Sequence, residues 1–173
     1  MRPRRWIPLR AALVVLAALL LQVSLAADLR VAGAIGDLVL VVVVAAALTG
    51  GADRGATYGF AAGLLYDLVV DTPFGLTPLT YALVGYGVGL AGAAIQRTSG
   101  WWPLAVAGLA GAAHATLYTS LGNLVGVAYP FDDLPAIALV VAAGAALAIV
   151  PAMRALWWVH GHDEPDRLEV MFR

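Results

Sequence analysis

The sequence predicts an all-α membrane protein, built as a compact bundle of six transmembrane helices. Three observations carry that expectation. The 173-residue chain is 62% hydrophobic and only 12% charged, whereas soluble domains carry about 25% charged residues. Its apolar residues fall into successive runs that approach the roughly 20 residues a helix needs to cross a bilayer. Its ten basic residues, all of them arginine, gather mostly at the ends of those runs.

The runs lie at 8–27, 31–49, 55–70, 78–95, 101–121 and 134–153. The first follows Arg2, Arg4, Arg5 and Arg10 and ends near Ser24-Leu25-Ala26, a pattern shared with cleavable signal peptides. Its apolar core continues to Val23, longer than such signals need, so it is read as a retained span. The second contains Gly36-Asp37-Leu38. The third is glycine-rich and holds Asp67. The fourth offers Gly85, Gly89 and Gly92, and the fifth offers Gly108 and Gly111 followed by His114 and Tyr118. The sixth closes a single transmembrane domain, 1–158, before a short polar tail, 159–173. Within that tail His160-Gly161-His162-Asp163-Glu164 reads as a solvated polar tract and not as a metal site, because no third strong ligand accompanies it.

With the N-terminus cytoplasmic, Arg2, Arg4, Arg5, Arg10, Arg54, Arg97, Arg154, Arg167 and Arg173 fall inside and only Arg30 outside, as the positive-inside rule requires. The C-terminus is then cytoplasmic too. Trp6, Trp101, Trp102, Trp157 and Trp158 all fall at inner helix ends, where tryptophan favours the headgroup boundary. The outer side has a tight loop near Asp28 and Arg30, a turn at 71–77, and a longer loop at 122–133 with Asn123, Pro130, Asp132 and Asp133.

Several function classes are excluded by what is missing. With no cysteine there is no disulfide framework, thiolate nucleophile or cysteine-based metal site. Tyr66-Asp67 resembles half of an intramembrane aspartyl protease site, but no Gly-x-Gly-Asp follows it. Ser24 and Ser99 lie at helix ends, and Ser120 is six residues from His114, about 600° around the same helix and so on a different side. A serine nucleophile needs a base within reach. No catalysis, cofactor, metal or nucleic-acid partner is therefore expected.

An aspartate in mid-span costs roughly 2.5–3.5 kcal/mol on insertion scales, so Asp67 requires compensation. Counted from the inner boundaries at Gly50, Gly55 and Trp101, the residues Asp37, Asp67 and His114 all lie roughly 18–20 Å deep. An intramembrane polar set follows, in which Asp67 or Asp37 pairs with His114; the alternative has Asp37 at the interface and His114 bonded to a backbone carbonyl. Gly55, Gly59 and Gly63 form a small-residue line that continues to Asp67 and Asp71. Such lines are packing seams within a bundle or docking grooves for a partner's helix. The following Thr72-Pro73-Phe74-Gly75 is expected to be a defined turn, with Pro73 fixing its own φ and Gly75 free to take a positive φ.

Gly59-Phe60, Gly63-Leu64, Asp67-Leu68, Thr72-Pro73-Phe74-Gly75 and Tyr81 together resemble the signature region of the bacterial rod shape-determining protein MreD family. Where members of that family tend to open the second span with Pro-Asp, this chain has Gly36-Asp37, so the aspartate carries over and the proline does not. The resemblance implies a multi-pass protein of the bacterial plasma (inner) membrane, a non-enzymatic scaffold of the cell-elongation machinery. Its implied partners are an MreC-like bitopic protein, the MreB cytoskeleton, a RodA-type glycosyltransferase and a penicillin-binding transpeptidase of peptidoglycan synthesis. The family fold is similar to the substrate-binding S component of energy-coupling-factor vitamin transporters. That similarity supplies the rival reading, a vitamin-binding subunit with a cavity lined by Tyr66, Asp67, Tyr118 and Asn123. For the scaffold reading, the docking candidates are Gly59, Gly63, Asp67 and the turn 72–75.

Overall fold

The second helix has no face toward its surroundings: residues 39–48 are all buried, none more than 4% exposed. A helix that is apolar all round belongs in the middle of a protein, and the other five helices are arranged around this one. The structure is a computed structural model and describes residues 6–28, 36–70, 72–94 and 101–160. These form α1 (Trp6–Asp28), α2 (Leu38–Gly50), α3 (Ala52–Val69), α4 (Leu76–Ala94), α5 (Trp102–Leu124) and α6 (Leu134–His160), with no strand among the described residues. Outside them lie Arg2, Arg4, Arg5, Arg30, Asp71, Arg97, Ser99 and residues 161–173, which include most of the predicted polar tail.

α1, α4, α5 and α6 are each long and apolar enough to cross a membrane. At 13 residues, α2 spans only about 20 Å, short of a hydrocarbon core of about 30 Å. The predicted second span begins at 31, but the helix begins at Leu38, because Asp37 caps it. The surface of the bundle is apolar: Leu20 is 59%, Leu109 72% and Leu147 82% exposed. Such a coat is a liability in water and suits contact with lipid.

The single residue Gly51 separates α2 from α3 and takes φ +85°, a conformation that favours glycine. Its amide donates to Ala47 O at 2.8 Å, which terminates α2 and sends α3 back beside it. α3 then lies against α4 with almost no side chain between the backbones. A Cβ added at Gly55, Gly59 or Gly63 would strike Gly85 O, Tyr81 O or the Pro78 backbone, respectively. Residue numbers on α4 fall as those on α3 rise, so the pair is antiparallel. α5 and α6 approach similarly at Gly111, which faces the Val141 and Ala142 backbone.

α6 passes through Pro151 and continues to His160, beyond the apolar run that ends at 153. Its last turns are held by partners on two other helices. The Arg10 guanidinium lies over the Trp158 ring at 4.8 Å, and Tyr58 Oη is 3.3 Å from His160 Nε2. The start of α1, the start of α3 and the end of α6 thus share one end of the bundle.

Candidate functional site

Polar side chains inside this apolar bundle form two groups. The first is built on Asp37, the N-cap of α2. Its Oδ1 accepts the Leu40 amide at 3.0 Å, satisfying one of the donors a helix start leaves unpaired. The Tyr81 hydroxyl from α4 lies 2.8 Å from Oδ1 and 2.7 Å from Oδ2 and donates to this carboxylate. His114 from α5 brings Nε2 to 3.5 Å from Oδ2. Three helices therefore meet at one carboxylate. Asp37, Tyr81 and His114 are all buried, Tyr81 at 1% exposure.

Gln22 of α1 completes the α2 cap. Its Oε1 accepts the Val39 amide at 3.0 Å, and its Nε2 donates to the Tyr66 hydroxyl of α3 at 3.4 Å. Sequence reasoning passed over Gln22, although a lone amide in a run of leucines and alanines carries a signal. Within a bilayer such a group needs a partner on another helix.

The second group belongs to Asp67, in the last turn of α3. Its Oδ1 accepts the Thr72 hydroxyl at 2.8 Å and its Oδ2 accepts the Gly75 amide at 2.7 Å. The carboxylate thus grips both ends of the tetrapeptide Thr72-Pro73-Phe74-Gly75, and Gly75 takes φ +93°. Gly75 O accepts the Leu79 amide at 3.3 Å, so the turn leads directly into α4. Phe74, at its tip, is 69% exposed.

Equal depth, expected for Asp37, Asp67 and His114, says nothing of direction around a helix axis. Asp37 is the partner of His114, while Asp67 looks along its own chain toward the turn. The glycine line has a direction too: α4 backbone fills the face of α3 that carries Gly59 and Gly63. The four residues expected to line a ligand cavity have separate attachments. Tyr66 meets Gln22, Asp67 holds the turn, and Tyr118 accepts from the Tyr129 hydroxyl at 3.5 Å. Asn123 donates to Thr119 O at 2.8 Å and to Tyr129 O at 3.1 Å. Among the described residues no group of histidine, aspartate and glutamate is arranged to hold a metal ion.

Long apolar helices, an apolar outer surface and buried polar groups that fasten one helix to the next define an integral membrane protein of the helical-bundle class. The carboxylates in this bundle secure a helix start and a turn. Residues 4–154 match the family model for the rod shape-determining protein MreD, and the chain belongs to the MreD family. It is thus a membrane protein of bacterial rod-shape determination. No curated protein and no solved structure matches it.

Proposed function

We propose that this chain is a non-enzymatic scaffold of the cell-elongation machinery, supporting lateral peptidoglycan synthesis by docking an MreC-like bitopic protein. The observation that carries this reading is the Asp67 grip on Thr72 and Gly75, which sets Phe74 outward on a braced turn. A turn braced by a side chain suits a recognition surface, since a pre-formed turn loses little entropy on binding. The glycines Gly59 and Gly63 serve the same end indirectly, by holding α3 and α4 at the spacing the turn requires.

In this reading the chain crosses the bacterial plasma membrane six times, the short α2 doing so enclosed by the other helices and not against lipid, with both termini cytoplasmic and the turn at 72–75 facing outward. The MreB cytoskeleton, a RodA-type glycosyltransferase and a penicillin-binding transpeptidase belong to the same assembly. The fold proposed by family likeness is that of the energy-coupling-factor S component, used here without its vitamin. Isolation from native membranes in mild detergent, with identification of co-purifying proteins and small molecules, tests the reading. Recovery of an MreC-like protein is expected. A vitamin and ATPase subunits without that protein would overturn it.

A further inference from the structure

Where the start of α1 meets the end of α6, neither helix carries a carboxylate; their one acid, Asp28, is at the opposite end of α1. Two arginines stand there instead. Arg10 sets its guanidinium 4.8 Å from the centre of the Trp158 ring and brings Nη1 to 3.5 Å from Trp158 O. That carbonyl is among the last four of α6, which have no partner within the helix. Arg154 lies four residues before Trp158, and residues at that spacing are neighbours on one helix face. Long helical side chains lean toward the preceding turn, so Arg10 and Arg154 attend the same indole.

Two like charges thus converge with nothing to hold them together. Among the described residues the one salt bridge joins His114 to Asp37, so neither arginine has a carboxylate partner there. Each guanidinium carries five N–H donors, and Arg10 commits one of them to Trp158 O. That bond also offsets the negative end of the α6 dipole, which would otherwise oppose an anion. The surface beside the arginines is apolar: Leu9, Leu13, Trp157 and Trp158 are all exposed. Leu13 lies about 4.5 Å further along α1 than Arg10. An occupant therefore meets cationic donors at the end of the bundle and an apolar wall next to them.

We propose that Arg10, Arg154 and Trp158 form a site for an anionic phospholipid, its phosphate bridging the two guanidiniums and its acyl chains lying along Leu9 and Leu13. Guanidinium and phosphate match in charge and in fork geometry, and tryptophan favours the headgroup boundary. A zwitterionic choline lipid brings a second cation to a place that already holds two. Free phosphate would leave the apolar wall unused. The bound headgroup joins α1 to α6 at the end of α1 remote from Gln22, fastening a helix that packs mainly on α2 and α6.

Native mass spectrometry of the full chain, released from nanodiscs of equal phosphatidylcholine and phosphatidylglycerol, tests the site by identifying the lipids that stay bound. The wild type is expected to retain phosphatidylglycerol in preference to phosphatidylcholine. Arg10→Gln and Arg154→Gln should each lower that retention about fivefold, the effect of one arginine near an anionic surface. Arg54→Gln, on α3, should leave it unchanged. Equal losses in all three variants would overturn the site, because they would reflect only the positive charge of this end. Equal retention of both lipids by the wild type would also overturn it, and is the result if Asp163, Glu164, Asp166 or Glu169 of the tail pairs with the arginines. Thermal stabilisation by inorganic phosphate in phosphatidylcholine nanodiscs, as large as that given by phosphatidylglycerol, would assign the arginines to free phosphate and reject the lipid. The wild-type preference is read without any variant, so a variant that fails to fold does not prevent the decision.

Discussion

Asp67 holds Gly75 from eight residues away: the Gly75 amide donates to Asp67 Oδ2 at 2.7 Å, while the Thr72 hydroxyl occupies Oδ1. Both donors use oxygens of the same side chain as acceptors. In Asp67→Asn one oxygen becomes an amide NH2 that faces another donor, so one bond is lost and the other loses its charge assistance. The expected cost is about 1.5–3 kcal/mol, the range for hydrogen bonds to charged groups. Thr72→Val removes one bond and should cost about 1 kcal/mol. Thermal unfolding in detergent, followed by circular dichroism, measures both.

Glycine substitutions should divide by position. In Gly59→Ala and Gly63→Ala the new methyl group meets α4 backbone, which cannot move aside as a side-chain tip can. Each should destabilise by about 1–3 kcal/mol. Gly87 lies on α4 with nothing within 4 Å of its absent Cβ, so Gly87→Ala should be neutral, or stabilising by about 0.5–1 kcal/mol. Equal effects at Gly59 and Gly87 would contradict the packing described here.

The carboxylate of Asp37 and the hydroxyl of Tyr81 should be energetically coupled. Tyr81→Phe leaves the ring in place and removes only the donor. A double-mutant cycle with Asp37→Asn should return about 1–2 kcal/mol, toward the upper end for interhelical bonds in membranes. A coupling near zero would mean that the carboxylate finds an equal partner elsewhere.

Gln22→Leu should loosen α1 without unfolding the rest. The substitution leaves the Val39 amide and the Tyr66 hydroxyl without this partner. Hydrogen exchange at Val39 should accelerate by about five- to thirtyfold, corresponding to roughly 1–2 kcal/mol of lost local protection. Amides in the middle of α2 should exchange as in the wild type.

Phe74→Ala separates recognition from stability. An exposed ring contributes little to folding, so thermal stability should change by less than about 0.5 kcal/mol. If the turn is the docking point, retention of the MreC-like partner should fall about tenfold or more, the effect of truncating an aromatic anchor. Full retention would place the contact elsewhere on the bundle.

The elements of the fold were legible because apolar run length and arginine placement are local properties. Six runs became six helices, and Gly75 took the positive φ its place after Thr-Pro-Phe suggested. Partnerships were less legible. Asp37 and Asp67 were both visible as charges that needed compensation, but spacing along the chain gave only their depth. Gln22 and Tyr129 went unnoticed because single uncharged polar residues acquire meaning only from what stands opposite them.

By itself, the sequence pointed to a membrane protein of six helices and to a resemblance, carried by residues from Gly59 to Tyr81, to the MreD family. Hydrophobicity and turn chemistry act over a few residues and can be read in order. Only the tertiary structure decided that α2 is enclosed, that the α3 glycines face α4, that His114 meets Asp37, and that Asp67 holds a turn. Those outcomes depend on which way each helix is rotated about its axis. In a nearly uniform apolar sequence, that rotation is set by backbone contact at glycines and by a few long-range hydrogen bonds.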